Sequence, residues 1–143
     1  MIVLDTNLLS ELMRPQPDAN VVAWLDRHAD DELLMTAVTW AELLFGVVRM
    51  PVGRRATDFQ DTLVKMFVQS FVDRVAPFDE FAAPHYAEFV TLRQRAGRPI
   101  GAADAQIAAI CRSIGAQLAT RNTQDFEGLG LVLVNPWLDD AQL

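Results

Sequence analysis

The stretch IVLDTNLLSEL, residues 2–12, changes its hydrophobic period at its centre. Ile2, Val3 and Leu4 form an unbroken apolar run, the mark of a short strand buried on both faces. After Asp5, Thr6 and Asn7, the apolar residues resume at helical spacing. A strand that passes straight into a helix opens an α/β unit, and such sheets bind ligands at the carboxyl ends of their strands. Asp5 stands at that end. The question it poses is which other acids, distant in sequence, arrive beside it.

The remainder of the chain repeats the alternation. Strand-length apolar runs recur at Leu33–Met35, Val75–Phe78, Gln117–Ala119 and Leu131–Val134. Between them, Asp18 can cap a helix that buries Val21, Val22, Trp24 and Leu25. Thr39 can cap the next, with Ala41, Leu44, Phe45 and Val48 as its stripe, ending near Met50 before Pro51 and Gly53. Helices are also expected over about 56–71, with Phe59, Leu63, Met66, Phe67 and Phe71 inward, and over about 81–96. The most regular covers Ala102–Ile114, with Ile107, Ile110 and Cys111 in its stripe and Gly115 at the left-handed cap. Strands alternating with helices predict a three-layer α/β/α sandwich around a parallel sheet, in one domain over residues 1–143.

Composition narrows the function classes. The chain is half hydrophobic (51%) and 22% charged, as in globular proteins. No apolar stretch has the roughly 18–20 residues needed to cross a bilayer, and no secretory signal pattern opens the sequence. With the single Cys111, which reads as a packed core thiol, the expectation is a reducing cytoplasm. A net charge of −7 argues against broad nonspecific nucleic-acid binding. The basic residues, however, are eleven arginines against the single Lys65. Arg49, Arg54 and Arg55 fall together, as do Arg93, Arg95 and Arg98; each group is either a solvated face or an arginine rim suited to phosphate.

Three further acids fall on elements that converge on Asp5. Asp104 lies in the first turn of the 102–114 helix, four residues after Ile100 and three before Ile107, so it projects along the buried stripe. The alternative is an acid placed only to favour the helix dipole. Glu42 sits early in the helix that follows the second strand, beside Val38, Phe45 and Gly46; the alternative is a solvated glutamate. Asp125 hangs in the loop after the fourth strand with Thr120 and Asn122, or merely caps the turn through Phe126 and Gly128. Two carboxylates ~5 Å apart at an effective dielectric of about 20 repel by roughly 3 kcal/mol. Such a cluster needs protons or cations, and an all-oxygen donor set suits Mg²⁺, with Mn²⁺ as a substitute, rather than zinc. One or two such ions can bind a phosphodiester and lower the pKa of an attacking water. Asn7, Thr120 and Asn122 could orient these groups. His28 and His85 lie in helical surface patterns and are read as bystanders.

Four ordered pieces, IVLDTNLLSEL (2–12), TWAELLFGV (39–47), RPIGAADAQIAAI (98–110) and LATRNTQDFEGLGLVLVNPW (118–137), together resemble the PIN domain family in its VapC and FitB-like toxin branch. They leave mainly residues 53–74 without a signature. The resemblance implies a five-stranded parallel sheet and a Mg²⁺-dependent endoribonuclease, the toxin of a bacterial toxin–antitoxin pair. It implies that Asp5, Glu42, Asp104 and Asp125 are the acidic quartet around the metal, with Asn7 and Thr120 at the polar positions nearby and Asn122 close to them. It also implies a homodimer, or a dimer of dimers with the antitoxin, and a cognate antitoxin, a small DNA-binding protein whose tail wraps the toxin and blocks its acidic groove. The helices after Asp18 and Thr39 carry aromatics and aliphatics that either form the groove in which the antitoxin docks or belong to the core. A −7 chain suits a basic partner segment.

Rival readings fit less well. A haloacid-dehalogenase-type phosphatase wants an acid where Asn7 stands. A response-regulator receiver wants a strand-end lysine, whereas Lys65 falls in a helix. A noncatalytic PIN-fold module that binds RNA or protein is the remaining alternative.

Overall fold

Strand and helix alternate as the periodicity requires in the computed structural model, which describes residues 1–138. Strands β1 (Ile2–Leu4), β2 (Leu33–Thr36), β3 (Val75–Ala76), β4 (Gln117–Ala119) and β5 (Leu133–Val134) form one parallel sheet ordered β3-β2-β1-β4-β5. The helices are α1 (Thr6–Leu12), α2 (Ala19–Arg27), α3 (Ala37–Val48), α4 (Arg54–Ser70), α5 (Ala83–Arg95) and α6 (Ala102–Ile114). A single 3₁₀ turn covers Thr123–Phe126.

Parity along β1 divides the core, because successive side chains on a strand point to opposite faces. Ile2 and Leu4 pack with Leu8, Leu9, Val21, Trp24, Met35, Leu63 and Phe71, so α1, α2 and α4 cover one face. Val3 points the other way, among Leu34, Phe89, Ile107, Cys111 and Leu118, beneath α5 and α6. This is the expected three-layer sandwich with five parallel strands. Cys111 is fully buried, and burial pushes its thiol up to about 12, so it is a core side chain. Gly115 ends α6 at φ 69°, where a left-handed residue is required.

The boundaries depart from expectation in physically simple ways. The cap of α3 is Thr36, whose hydroxyl accepts the Thr39 amide at 3.1 Å; Thr39 itself is buried inside the first turn. Strand β3 stops at Ala76, because Pro77 cannot donate to a ladder, and Phe78 turns outward to meet Tyr86 edge-on. Strand β5 begins only at Leu133. Helix α4 starts two residues early, at Arg54, and α5 starts late, at Ala83, after the Asp79 carboxylate has accepted the amides of Phe81 and Ala82.

The sheet order positions the site. The chain winds from β1 outward through β2 and β3, then returns to add β4 and β5 on the other side of β1. The crevice above the carboxyl ends of β1 and β4 is therefore the switch point, where connections leave in opposite directions.

Candidate active site

Asp5 and Thr120 are the residues that follow β1 and β4 at that crevice. The Asp5 amide donates to Ala119 O (2.9 Å) and the Thr120 amide to Val134 O (2.9 Å), so both backbones still belong to the sheet. Asp5 is also the N-cap of α1: its Oδ1 accepts the Thr6 amide at 2.8 Å. Its Oδ2 accepts the Thr120 hydroxyl at 2.7 Å. Thr120 Oγ1 in turn accepts the Asn122 amide (3.1 Å) and the Asn7 side-chain amide (3.5 Å). Asn122 thus acts here through its backbone rather than its side chain. The Asn7 carbonyl oxygen accepts the Arg121 amide at 3.5 Å.

Glu42 projects from the second turn of α3, exposed at the rim, and a chain of threonines reaches it. Thr6 Oγ1 donates to Glu42 Oε1 at 2.8 Å and meets Thr39 Oγ1 at 2.9 Å. Thr36 Oγ1 donates to Thr39 Oγ1 at 3.4 Å. Each hydroxyl has one proton, so the direction is fixed: Thr36 to Thr39, Thr39 to Thr6, Thr6 to Glu42. Glu42 is a tethered acid and not a free one.

Asp104 comes from the first turn of α6 and Asp125 from the 3₁₀ turn after β4. Neither carboxylate accepts a hydrogen bond among the described residues. Asp125 takes part in its turn only through its amide, which donates to Asn122 O at 3.0 Å, so it does not cap that turn by its side chain. Asp5 and Asp104 nonetheless feel the other acids. Asp104 is pushed up to about 6, first by burial and then by Asp5, Asp125 and Glu42, with Arg93 opposing. Burial also raises Asp5; Thr120 and the Thr6 amide lower it, and Glu42 and Asp125 add smaller upward pushes. The four predicted acids are therefore gathered over one strand-end crevice.

A sequence model of the family described as PIN domain matches residues 2–130. The chain belongs to the PIN domain family. Within it, VapC ribonuclease Y4jK of Sinorhizobium fredii is 44% identical over 96% of this chain and 98% of that protein. Toxin FitB of Neisseria gonorrhoeae is 38% identical over 97% of this chain and all (100%) of that one. The solved structure of FitAB bound to an IR36 DNA fragment superposes with a TM-score of 0.90 at 35% identity, covering 100% of each chain. These likenesses set the chain in the VapC and FitB-like branch of PIN domains.

As a PIN domain, the chain has a donor set that fits a hard divalent cation, by two observations. The donors are all oxygens, and burial, followed by repulsion from the other acids, lifts Asp104 even with Arg93 opposing, which is how a carboxylate short of counter-charge behaves. Among the described residues, no three acid, histidine or cysteine side chains stand close enough to hold one ion in common. Mg²⁺ accepts that arrangement, since it binds through one or two carboxylates and retains several waters. Neither histidine belongs to the cluster: His28 stacks on Trp24 at 4.4 Å, and His85 lies nearest Glu88 and Phe89.

Two contributors escaped the sequence reading. Thr6 was only part of a motif, although its place between a strand-end acid and a helix was a signal. Arg93 falls in a group read as either a solvated face or an arginine rim, and it is neither: it is 6% exposed. Its guanidinium donates to Arg98 O (2.8 Å), Asp125 O (2.8 Å) and Glu127 O (3.4 Å), fastening α5 to the loop that carries Asp125. Its positive charge is the one that restrains Asp104.

Proposed function

We propose that this chain is the toxin of a toxin–antitoxin pair and a Mg²⁺-dependent endoribonuclease that hydrolyses RNA phosphodiesters in the cytoplasm. The observation that carries the reading is Asp104, half-buried, without a hydrogen-bond partner among the described residues and pushed up first by burial and then by three other acids at the switch point. An acid cluster assembled at such a cost has a cationic occupant in its working state. The relatives that bear the names ribonuclease and toxin support it.

Asp5 and Asp104 would hold the ion, and Glu42 and Asp125 would reach it through water. When bound, Mg²⁺ neutralises charge developing on the phosphate and lowers the pKa of the attacking water. The chain's own part is orientation. The Thr6 amide and Thr120 hydroxyl fix the plane of the Asp5 carboxylate, and the threonine chain fixes Glu42. In-line displacement at phosphorus leaves a 5′-phosphate and a 3′-hydroxyl.

The antitoxin tail would lie over α3. The expected groove is only half available, because Val21 and Trp24 of α2 are core. On α3, however, Leu44, Phe45 and Val48 are exposed. Of these, Phe45 lines a cavity of about 570 Å³ that runs from Thr6 and Glu42 to Arg49 and Phe59. A tail docked there would cover the rim acid. A homodimer, or a dimer of dimers with the antitoxin, completes the proposed assembly.

The test is cleavage of end-labelled total RNA by antitoxin-free protein in Mg²⁺ or Mn²⁺ against EDTA, beside Asp5→Asn. Cleavage that requires the metal and is lost in the variant is the expected result. Folded, metal-loaded protein that cuts no RNA class would leave the noncatalytic module as the better reading.

A further inference from the structure

A second cavity, of about 450 Å³, opens beside the acid cluster. Its walls include Arg121, Asn122, Gln124, Asp125, Asn135 and Trp137. It shares Asp125 with the site described above, and its volume is in the range that holds a small ligand.

The Arg121 guanidinium stacks over the Trp137 ring at 5.2 Å. Among the described residues it pairs with no carboxylate, although Asp125 lines the same cavity. Its backbone is held on both sides: the amide donates to Asn7 Oδ1 (3.5 Å), and the carbonyl accepts Asn135 Nδ2 (3.3 Å). Asn135 Oδ1 accepts the Trp137 amide at 3.0 Å, and the Trp137 side chain is buried in the core, so the ring beneath the guanidinium is held as well. The result is a planar cation set on an aromatic floor, with its N–H groups free to grip an anion. Among the described residues, Asn122 and Gln124 enter hydrogen bonds only through their backbones. Their side-chain amides therefore present a donor and an acceptor each to whatever enters. A fixed cation for a phosphate beside free amides for a base edge is the chemistry of a single-stranded nucleotide.

We propose that this cavity is the subsite for the nucleotide adjoining the scissile phosphodiester, with Arg121 on its phosphate and Asn122 and Gln124 facing its base. The inference rests on the ribonuclease reading and adds to it the residues that select the cut. It also answers how an acidic chain attracts RNA: through one placed arginine and not through a basic field.

The test has two arms. In an Asp5→Asn background, binding of a fluorescent random single-stranded RNA 12-mer is followed by anisotropy over a range of salt. Adding Arg121→Gln should weaken binding about tenfold and reduce the salt slope by about one unit. Arg95→Gln, an exposed arginine away from the cavity, should change it less than twofold. In the wild-type background, Gln124→Ala should alter nucleotide preference at one position beside the cut, read by sequencing product ends, with circular dichroism unchanged. Metal-dependent cleavage with binding, salt slope and cut sites all unaffected by these changes overturns the subsite and leaves the nuclease standing. No RNA binding by the parent protein overturns both.

Discussion

At the scale of single residues, the site depends on hydroxyls that hold carboxylates. Thr120→Val keeps the volume but leaves Asp5 without its shortest hydrogen bond, and leaves the Asn122 amide unpaired. That substitution should cost about 1–3 kcal/mol of stability by chemical denaturation. It should also raise the Asp5 pKa further, since the lost bond favoured the charged form. The acidic limb of the cleavage pH profile should then move upward. Thr6→Val cuts the threonine chain before Glu42. A double-mutant cycle with Glu42→Gln should give a coupling on the order of 0.5–3 kcal/mol; a value near zero would mean the 2.8 Å contact does not persist in solution.

At the scale of elements, Arg93 decides whether the 3₁₀ turn stays on α5. Arg93→Met leaves the carbonyls of Arg98 and Asp125 without their donor, and should cost roughly 2–4 kcal/mol by thermal melts. Amide exchange over residues 122–127 should accelerate more than over β1. The elements also show what was legible beforehand. Ile2–Leu4, Gln117–Ala119 and Ala102–Ile114 were read to the residue, because unbroken apolar runs and a clean helical stripe leave one solution. The acids were legible as strand-end and first-turn carboxylates, but the tether on Glu42 was not, since it joins α1 to α3 across 36 positions. Arg93 was illegible for the opposite reason: a charged residue in a helix predicts exposure, and only the folded loop offers it carbonyls. The cap of α3 was misjudged because Thr36 and Thr39 are both good cap residues, and the choice depends on where β2 ends.

At the scale of the whole molecule, the acid cluster makes stability depend on pH and on metal. Asp104 has a folded-state pKa near 6, above its unfolded value. Between about pH 4 and 6 the folded chain therefore holds a proton that the unfolded chain has released. Metal-free protein should gain stability as pH falls through 6, and lose that gain as pH rises again. Burial pushes Asp5 in the same direction. Melting midpoints at pH 5 and 7.5 should differ in that sense for the wild type and differ less for Asp104→Asn. Mg²⁺ at a hundred times its Kd should add about 2.7 kcal/mol at pH 7.5, with the increment absent from an Asp5→Asn/Asp104→Asn double variant. A metal increment that survives both substitutions would place the ion elsewhere.

The carboxylate of Asp5 caps α1 with the same group that serves the crevice. Asparagine caps a helix about as well as aspartate, whereas alanine costs roughly 1 kcal/mol. A descendant of this chain that abandoned its chemistry would still be filtered for Asp or Asn at position 5, because α1 must start there. Its inactivity would be invisible to anyone who judged the position only by whether it had drifted, and would be betrayed sooner by Asp104 or Asp125, whose carboxylates the fold does not use.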